Sequence, residues 1–93
     1  MIEREGERLV VKAPLIVANA SGLLAAGRSA LQPGEQVFDF APVSEADSSA
    51  LSVMLGWLRS AEQTRSIIKF ANIPAGVLSL AELYGLVELL PLA

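Results

Sequence analysis

Short apolar runs alternate with amphipathic stretches along this chain, and the pattern predicts strands interleaved with helices. Strands are predicted at residues 9–12, 15–18, 37–40 and 66–70, where apolar, largely β-branched or aromatic residues cluster. Helical spacing of apolar positions predicts helices at 22–31, 49–63 and 75–84, and a short element at 86–90. The order favours an α/β fold with a mixed sheet. The first two strands form an antiparallel hairpin in this prediction, and the residues before 9 form a solvated edge strand or frayed end.

Turn and capping residues mark the ends of these elements. Asn19 and Ser21 are good caps for the first helix, which Pro33-Gly34 ends. Pro74 is typical of the first turn of the third helix, and Gly85 is typical of its C-cap.

The helix predicted at 49–63 is more apolar than packing on a sheet requires. At about 100° per residue its apolar positions span about 200°, whereas a stripe a little over 100° wide is enough. One interpretation is that neighbouring helices and the chain end cover the surplus. The other is that Val53, Trp57 or their neighbours contact a protein partner. The opposite arc is made mainly of small residues, which permit another surface to approach closely: Ser48, Ser49, Ser52, Gly56, Arg59 and Ser60.

The turn at residues 43–51 follows a strand and opens this helix. Backbone N–H groups are unpaired at a helix start, and the helix dipole there favours negative charge. Capping by Asp47 or Ser48 is the structural interpretation. The functional interpretation is that the turn holds a phosphate or acquires one through phosphorylation of a serine.

Composition removes several classes of function. The 93 residues form one small domain, residues 1–93, and 53% of them are apolar, which excludes a disordered chain. A net charge of -3 argues against nucleic-acid binding. The chain has no Cys and no His, so disulfides, thiolate metal sites and Ser-His-Asp triads are excluded. We therefore expect no metal and no cofactor.

The N-terminal stretch does not read as a secretion signal, because Glu3, Glu5 and Glu7 stand where an apolar run should begin. No stretch is long and apolar enough to predict a membrane span. A cytoplasmic protein without direct membrane insertion is expected. Its mean hydropathy of +0.50 is high for a domain this small, which suggests that some apolar surface meets a partner. Dimer formation by the isolated chain is another use of that surface.

One segment of the sequence carries a recognisable signature: Val37-Phe38-Asp39-Phe40, then Val43 and Asp47-Ser48-Ser49-Ala50-Leu51. It resembles the signature of STAS domains, the bacterial anti-sigma-factor antagonists and the related domains of sulfate transporters. Blocks at 70–74, 80–86 and 88–91 are most similar to the MlaB group of this family. Those small subunits accompany the ABC transporter that moves phospholipid between the bacterial membranes and keeps the outer membrane asymmetric.

The resemblance implies a small mixed sheet with helices on one side and a non-enzymatic role. It implies that the partner is the cytoplasmic ATPase subunit of the transporter, and through it a membrane permease, which would hold the chain at the inner membrane. Ser48 matches the position that contacts the ATPase in transporter subunits, and Ser49 matches the phosphorylated serine of the antagonists. Ala50 departs from the antagonist pattern, which has Gly there. The predicted partner-binding residues are Glu45, Asp47, Ser48, Ser49, Ser52, Val53 and Trp57.

Three alternatives to a subunit that binds an ATPase remain. The first is an anti-sigma-factor antagonist type of switch with Ser49 as the phosphate acceptor. The second is an enzyme that uses Asp39, Glu45 or Asp47, although no paired base, metal cluster or phosphate-binding loop accompanies them. Asp39 is better explained as a residue at the end of a strand, whose carboxylate accepts hydrogen bonds from neighbouring backbone, than as a catalytic group. The third is direct lipid binding in an apolar pocket, for which so small a domain has little spare volume.

Overall fold

The computed structural model describes residues 1–93 and contains four strands and three α-helices. The strands are β1 (Ile2–Glu5), β2 (Arg8–Val11), β3 (Gly34–Asp39) and β4 (Ser66–Ala71). The helices are α1 (Ala20–Ala30), α2 (Ser49–Thr64) and α3 (Ala75–Leu83). Single 3-10 turns lie at Val17–Asn19 and Val87–Leu89. None of the helices is long and apolar enough to cross a bilayer.

The strands form one mixed sheet in the order β1-β2-β3-β4. β1 pairs antiparallel with β2, whereas β2 with β3 and β3 with β4 pair in parallel. α1 connects the first parallel pair and α2 connects the second, as parallel strands require. The predicted α/β fold with a mixed sheet is confirmed.

The hairpin lies earlier in the chain than predicted. Residues 15–18 do not form a strand: Leu15 makes a single bridge to Ala46, and the following residues turn into the 3-10 segment. The second hairpin strand is instead the stretch predicted as the first, and its partner is the charged segment Ile2–Glu5. An edge strand tolerates this composition because its side chains face water, and Glu3 forms an ion pair of 2.6 Å with Lys12.

One face of the sheet carries the core. Its side chains, buried beneath the helices, are Leu9, Val11, Phe38, Phe40, Ile68 and Phe70. The opposite face is largely exposed and carries charged residues such as Arg8, Glu35 and Lys69. The alternation follows from the two-residue period of a strand. The helices therefore cover one side of the sheet, as the resemblance implied.

Trp57 of α2 lies at the centre of this core and is completely buried. Its ring stacks on Phe38, with centroids 4.1 Å apart and an interplanar angle of 8°. Its Nε1–H donates to the carbonyls of Leu23 and Leu24 in α1, at 3.2 and 3.3 Å. Gly27 lies directly against the indole, and a Cβ there would overlap Nε1.

These contacts correct two predictions. Val53 and Trp57 were expected to contact a partner, but both are buried in the core, where Trp57 lies between the sheet and α1. The close approach permitted by the small-residue arc is made by α1 as well. A Cβ at Gly56 would lie 2.6 Å from the Cδ1 atom of Leu24. The apolar surplus of α2 is thus largely used within the chain.

The third helix ends in a Schellman motif at Gly85, as its sequence indicated. Gly85 adopts a φ of 69°, and the Leu86 N–H donates to the Ala81 carbonyl at 2.8 Å. Pro74 precedes the first helical residue instead of occupying the first turn. Asn19 precedes α1, but its side chain donates to the Pro14 carbonyl and caps no helical N–H.

Replacing Gly27 with Ala should destabilise the fold, because the added methyl group collides with a rigid ring that is fixed by Phe38. We expect the free energy of unfolding to fall by about 1–3 kcal/mol in urea denaturation. Gly76→Ala is the matched control, since a Cβ there meets nothing within 4 Å. It should leave stability unchanged or raise it by up to about 1 kcal/mol. Equal stability of the two variants would contradict the proposed packing.

Candidate docking site

The turn between β3 and α2 is held by backbone pairing with a distant part of the chain. The Leu15 N–H donates to the Glu45 carbonyl, and the Asp47 N–H donates to the Leu15 carbonyl, both at 2.9 Å. A turn that makes strand-like hydrogen bonds on one side loses much of the freedom of a surface loop. This turn and the start of α2, called the docking corner below, therefore form a surface of fixed shape.

Asp47 caps the start of α2. Its Oδ1 accepts hydrogen bonds from the Ser49 N–H at 2.9 Å and from the Ser49 hydroxyl. Its Oδ2 accepts from the Val17 N–H at 3.0 Å, which joins the corner to the 3-10 turn before α1. The hydrogen bond from the Ser49 hydroxyl, followed by those from the Val17 and Ser49 backbone, lowers the pKa of Asp47. Ser48 occupies the N-cap position, but its side chain makes no capping bond.

The corner brings together five of the seven predicted partner-binding residues. Glu45, Ser48 and Ser52 are exposed, while Asp47 and Ser49 are partly buried by the hydrogen bonds between them. Because Asp47 does the capping, the Ser48 hydroxyl is free to meet another molecule. Val53 and Trp57 lie underneath and take no part in the surface.

Val17 is part of this corner and was missed by the sequence analysis. Its side chain is 74% exposed, and its backbone is bonded to Asp47. The sequence analysis placed Val17 in a strand at 15–18. It could not show the contact between Val17 and Asp47, because the two residues are thirty positions apart in the chain. An exposed valine beside exposed serines adds apolar contact area to the site.

Ala50, where the sequence departs from the antagonist pattern, does not face outwards. Its side chain is fully buried in the core. The methyl group that distinguishes Ala50 from the glycine of the antagonist pattern therefore does not obstruct a partner at the surface.

Asp39 lies at the end of β3 and is held by three donors. Arg8 Nη1 donates to Oδ2 at 2.8 Å, while the Ala41 N–H and Asn72 Nδ2 donate to Oδ1 at 2.9 Å. Burial raises the pKa of Asp39, but the hydrogen bonds from Asn72, Ala41 and Arg8 outweigh it and hold that pKa below its ordinary value. The carboxylate is occupied by structural contacts, as expected for a strand-end residue. Besides the predicted backbone donor, the side chains of Arg8 and Asn72 also donate hydrogen bonds to this carboxylate.

Comparison with known proteins places this geometry in a family. Residues 2–91 match the family model described as "Mlab, STAS domain". The chain belongs to the STAS-domain family. No curated protein sequence matches this STAS domain significantly.

Solved structures show the same fold. A STAS-domain anti-sigma-factor antagonist from Planctomyces limnophilus superposes with a TM-score of 0.71 at 17% identity, over 98% of this chain and 86% of that one. A putative anti-sigma factor antagonist from Thermotoga maritima gives 0.74 at 13% identity, over 99% and 83%. A sulfate transporter family protein from Wolinella succinogenes gives 0.68 at 14% identity, over 89% and 69%. At these identities the likeness concerns the fold.

The acid stability of this STAS domain should depend on Asp39. Its pKa in the folded state lies below the value of about 3.9 in unfolded chains, so the unfolded state binds more protons in acid. Its contribution is therefore complete above about pH 5 and is lost as the pH falls through the folded-state pKa. Asp39→Asn should lower the unfolding free energy at pH 7 by about 1–3 kcal/mol and flatten its decline in acid.

Urea midpoints measured between neutral pH and about pH 2 check this prediction. Glu45→Gln is the control, because the Glu45 side chain accepts no hydrogen bond or ion pair, and it should keep the wild-type profile. An unchanged acid profile in Asp39→Asn would contradict the assignment.

Proposed function

We propose that this chain is a non-enzymatic accessory subunit that binds the ATPase of a phospholipid-transporting ABC system. Such a system maintains the lipid asymmetry of the outer membrane. The chain would act in the cytoplasm and be held at the inner membrane through the transporter. Support comes from the match of residues 2–91 to the family model described as "Mlab, STAS domain".

The observation that carries the proposal is the exposure of Ser48 on a corner with a fixed backbone. A rigid corner loses little conformational entropy when a partner binds, so more of the contact energy appears as affinity. Exposed Val17 and Ser52 extend the surface on either side. A protein that binds the assembled ATPase better than its free form stabilises the complex by linkage, without any chemistry of its own.

Replacing Ser48 with Arg should weaken binding to the ATPase. The large charged side chain projects from the corner into the contact, whereas folding needs no capping bond from residue 48. In pull-downs from the source cells, with the ATPase identified by mass spectrometry, we expect its recovery to drop at least about tenfold, a loss of about 1.4 kcal/mol. The thermal unfolding midpoint should stay within a few degrees of wild type.

The same substitution at Ser79, which is exposed on α3, is the matched control and should leave recovery unchanged. Ser48→Ala separates the role of the hydroxyl from that of the shape. Full recovery of the ATPase with Ser48→Arg would show that the corner is not the contact.

A second candidate is a phospho-switch of the anti-sigma-factor antagonist type. It is favoured by the structural likeness to such antagonists and by the hydrogen bond from the Ser49 hydroxyl to Asp47. A phosphate on Ser49 would remove that donor and place about two negative charges beside a carboxylate. The repulsion would loosen the bond between Asp47 and Val17, and so change the shape of the corner.

Intact-mass measurement of the chain isolated from cells tests this candidate. A phospho-switch predicts a fraction that carries one phosphate, which disappears in Ser49→Ala and persists in Ser48→Ala. Unmodified chain in every growth condition, together with recovery of the ATPase, would exclude the switch in favour of the transporter subunit.

A further inference from the structure

A second surface feature lies at the other end of the α1–α2 pair. The two helices leave an open groove of about 460 Å³ near their C-terminal ends. All of its lining residues are polar: Arg28, Arg59, Ser60, Gln63 and Thr64. No carboxylate lines it, although the chain carries ten acidic residues and a net charge of -3.

The two arginines of this arginine groove have no ionic partner in the chain. The ion pairs within the protein are those of Arg8 with Asp39 and of Lys12 with Glu3. Glu62 is three residues beyond Arg59 and lines the neighbouring apolar cleft together with it, but the two side chains form no ion pair. Two adjacent positive charges without a counter-charge repel each other, so an acidic group placed between them gains attraction from both.

Arg28 is also held in position. Its Nε–H donates to the Ser60 hydroxyl at 2.9 Å, which ties the guanidinium of α1 to α2. The terminal nitrogens of Arg28 have no hydrogen-bond partner in the chain. A guanidinium with both of these groups free presents the planar fork that binds a carboxylate in two parallel hydrogen bonds.

The arginine groove lies on the same side of α2 as the docking corner. At about 100° per residue, Ser48, Ser52, Arg59 and Gln63 fall within about 60° of one another around the helix. Ser48 and Arg59 are about 16 Å apart along the axis, which is about two Debye lengths at physiological salt. The surface therefore has an acidic end at Glu45 and Asp47 and a basic end at the groove, and each end interacts with its own partner charges.

We propose that the partner's contact continues along α2 and places an acidic segment, with its carboxylate side chains, over Arg28 and Arg59. This inference rests on the proposed function and adds that charge sets the orientation of the bound partner. The groove is open and follows a helix surface continuous with the corner, which suits a protein segment better than a small ion. Opposite charges at the two ends favour one docking direction, because a reversed partner would meet like charges.

The test measures affinity for the ATPase subunit identified in the pull-down, purified, at several salt concentrations. In Arg28→Gln/Arg59→Gln we expect affinity to fall about tenfold or more at low salt, and its dependence on salt to become weaker. Lys12→Gln/Lys69→Gln removes the same charge from the open face of the sheet, and we expect it to bind like wild type. Arg59→Gln alone disturbs no internal hydrogen bond, so a partial loss in that variant separates binding from folding.

Comparison with Ser48→Arg separates this inference from the proposed function. If Ser48→Arg abolishes binding while the double arginine variant keeps wild-type affinity and salt dependence, the acidic segment is excluded and the docking corner stands. If neither change weakens binding, both proposals fail. Titration with inorganic phosphate and with phosphatidylglycerol vesicles examines the other anions. Loss of phosphate or vesicle binding in the double variant, with unchanged ATPase affinity, would also overturn the inference.

Discussion

The indole of Trp57 joins its own helix, α2, to the sheet and to α1, and the rest of the structure depends on that contact. Its ring stacks on Phe38 of the central region of the sheet, and its N–H bonds to carbonyls of α1. Gly27 provides the space for this ring, since any side chain there would occupy it. These contacts fix the direction of α2 relative to the sheet. They therefore also fix the position of the first residues of α2, which follow the turn after β3.

The docking corner follows from this arrangement and from a division of labour between adjacent residues. The Asp47 carboxylate accepts hydrogen bonds from the Ser49 N–H at the start of α2 and from the Val17 N–H, which lies in a different part of the chain. Ser48 is consequently left without a structural task. A residue that the fold does not need, displayed on backbone that the fold holds firmly, is well suited to recognition by another protein.

Local pattern predicted most of the elements. The central strands and all three helices were predictable because their periodicity agrees with their burial. The hairpin was placed wrongly because the β-branched run at 15–18 has a stronger strand pattern than the charged segment at residues 2–5. That segment pairs as a strand because it lies at the edge of the sheet, where charged side chains can face water. Trp57 was assigned to the surface as one alternative because α2 has more apolar residues than a sheet alone can cover. The covering element, α1, owes its close approach to Gly27 and Gly56. The arc that contains Gly56 indicated that some surface could come close, but the pattern did not show that this surface is α1. Val17 and the Arg28–Ser60 contact depend on long-range pairing.

The borders of the sheet have a consequence for how copies of this protein behave at high concentration. Along β4, the Phe70 N–H donates to the Pro91 carbonyl at 2.8 Å, and the Ala93 N–H donates to the Phe70 carbonyl at 2.9 Å. Along β1, the outermost strand is short and alternates acidic and basic side chains. Neither edge strand therefore presents a long, uncharged row of free amide groups. Although the chain is rich in apolar residues, its sheet edges do not favour the strand pairing between copies that leads to fibrils.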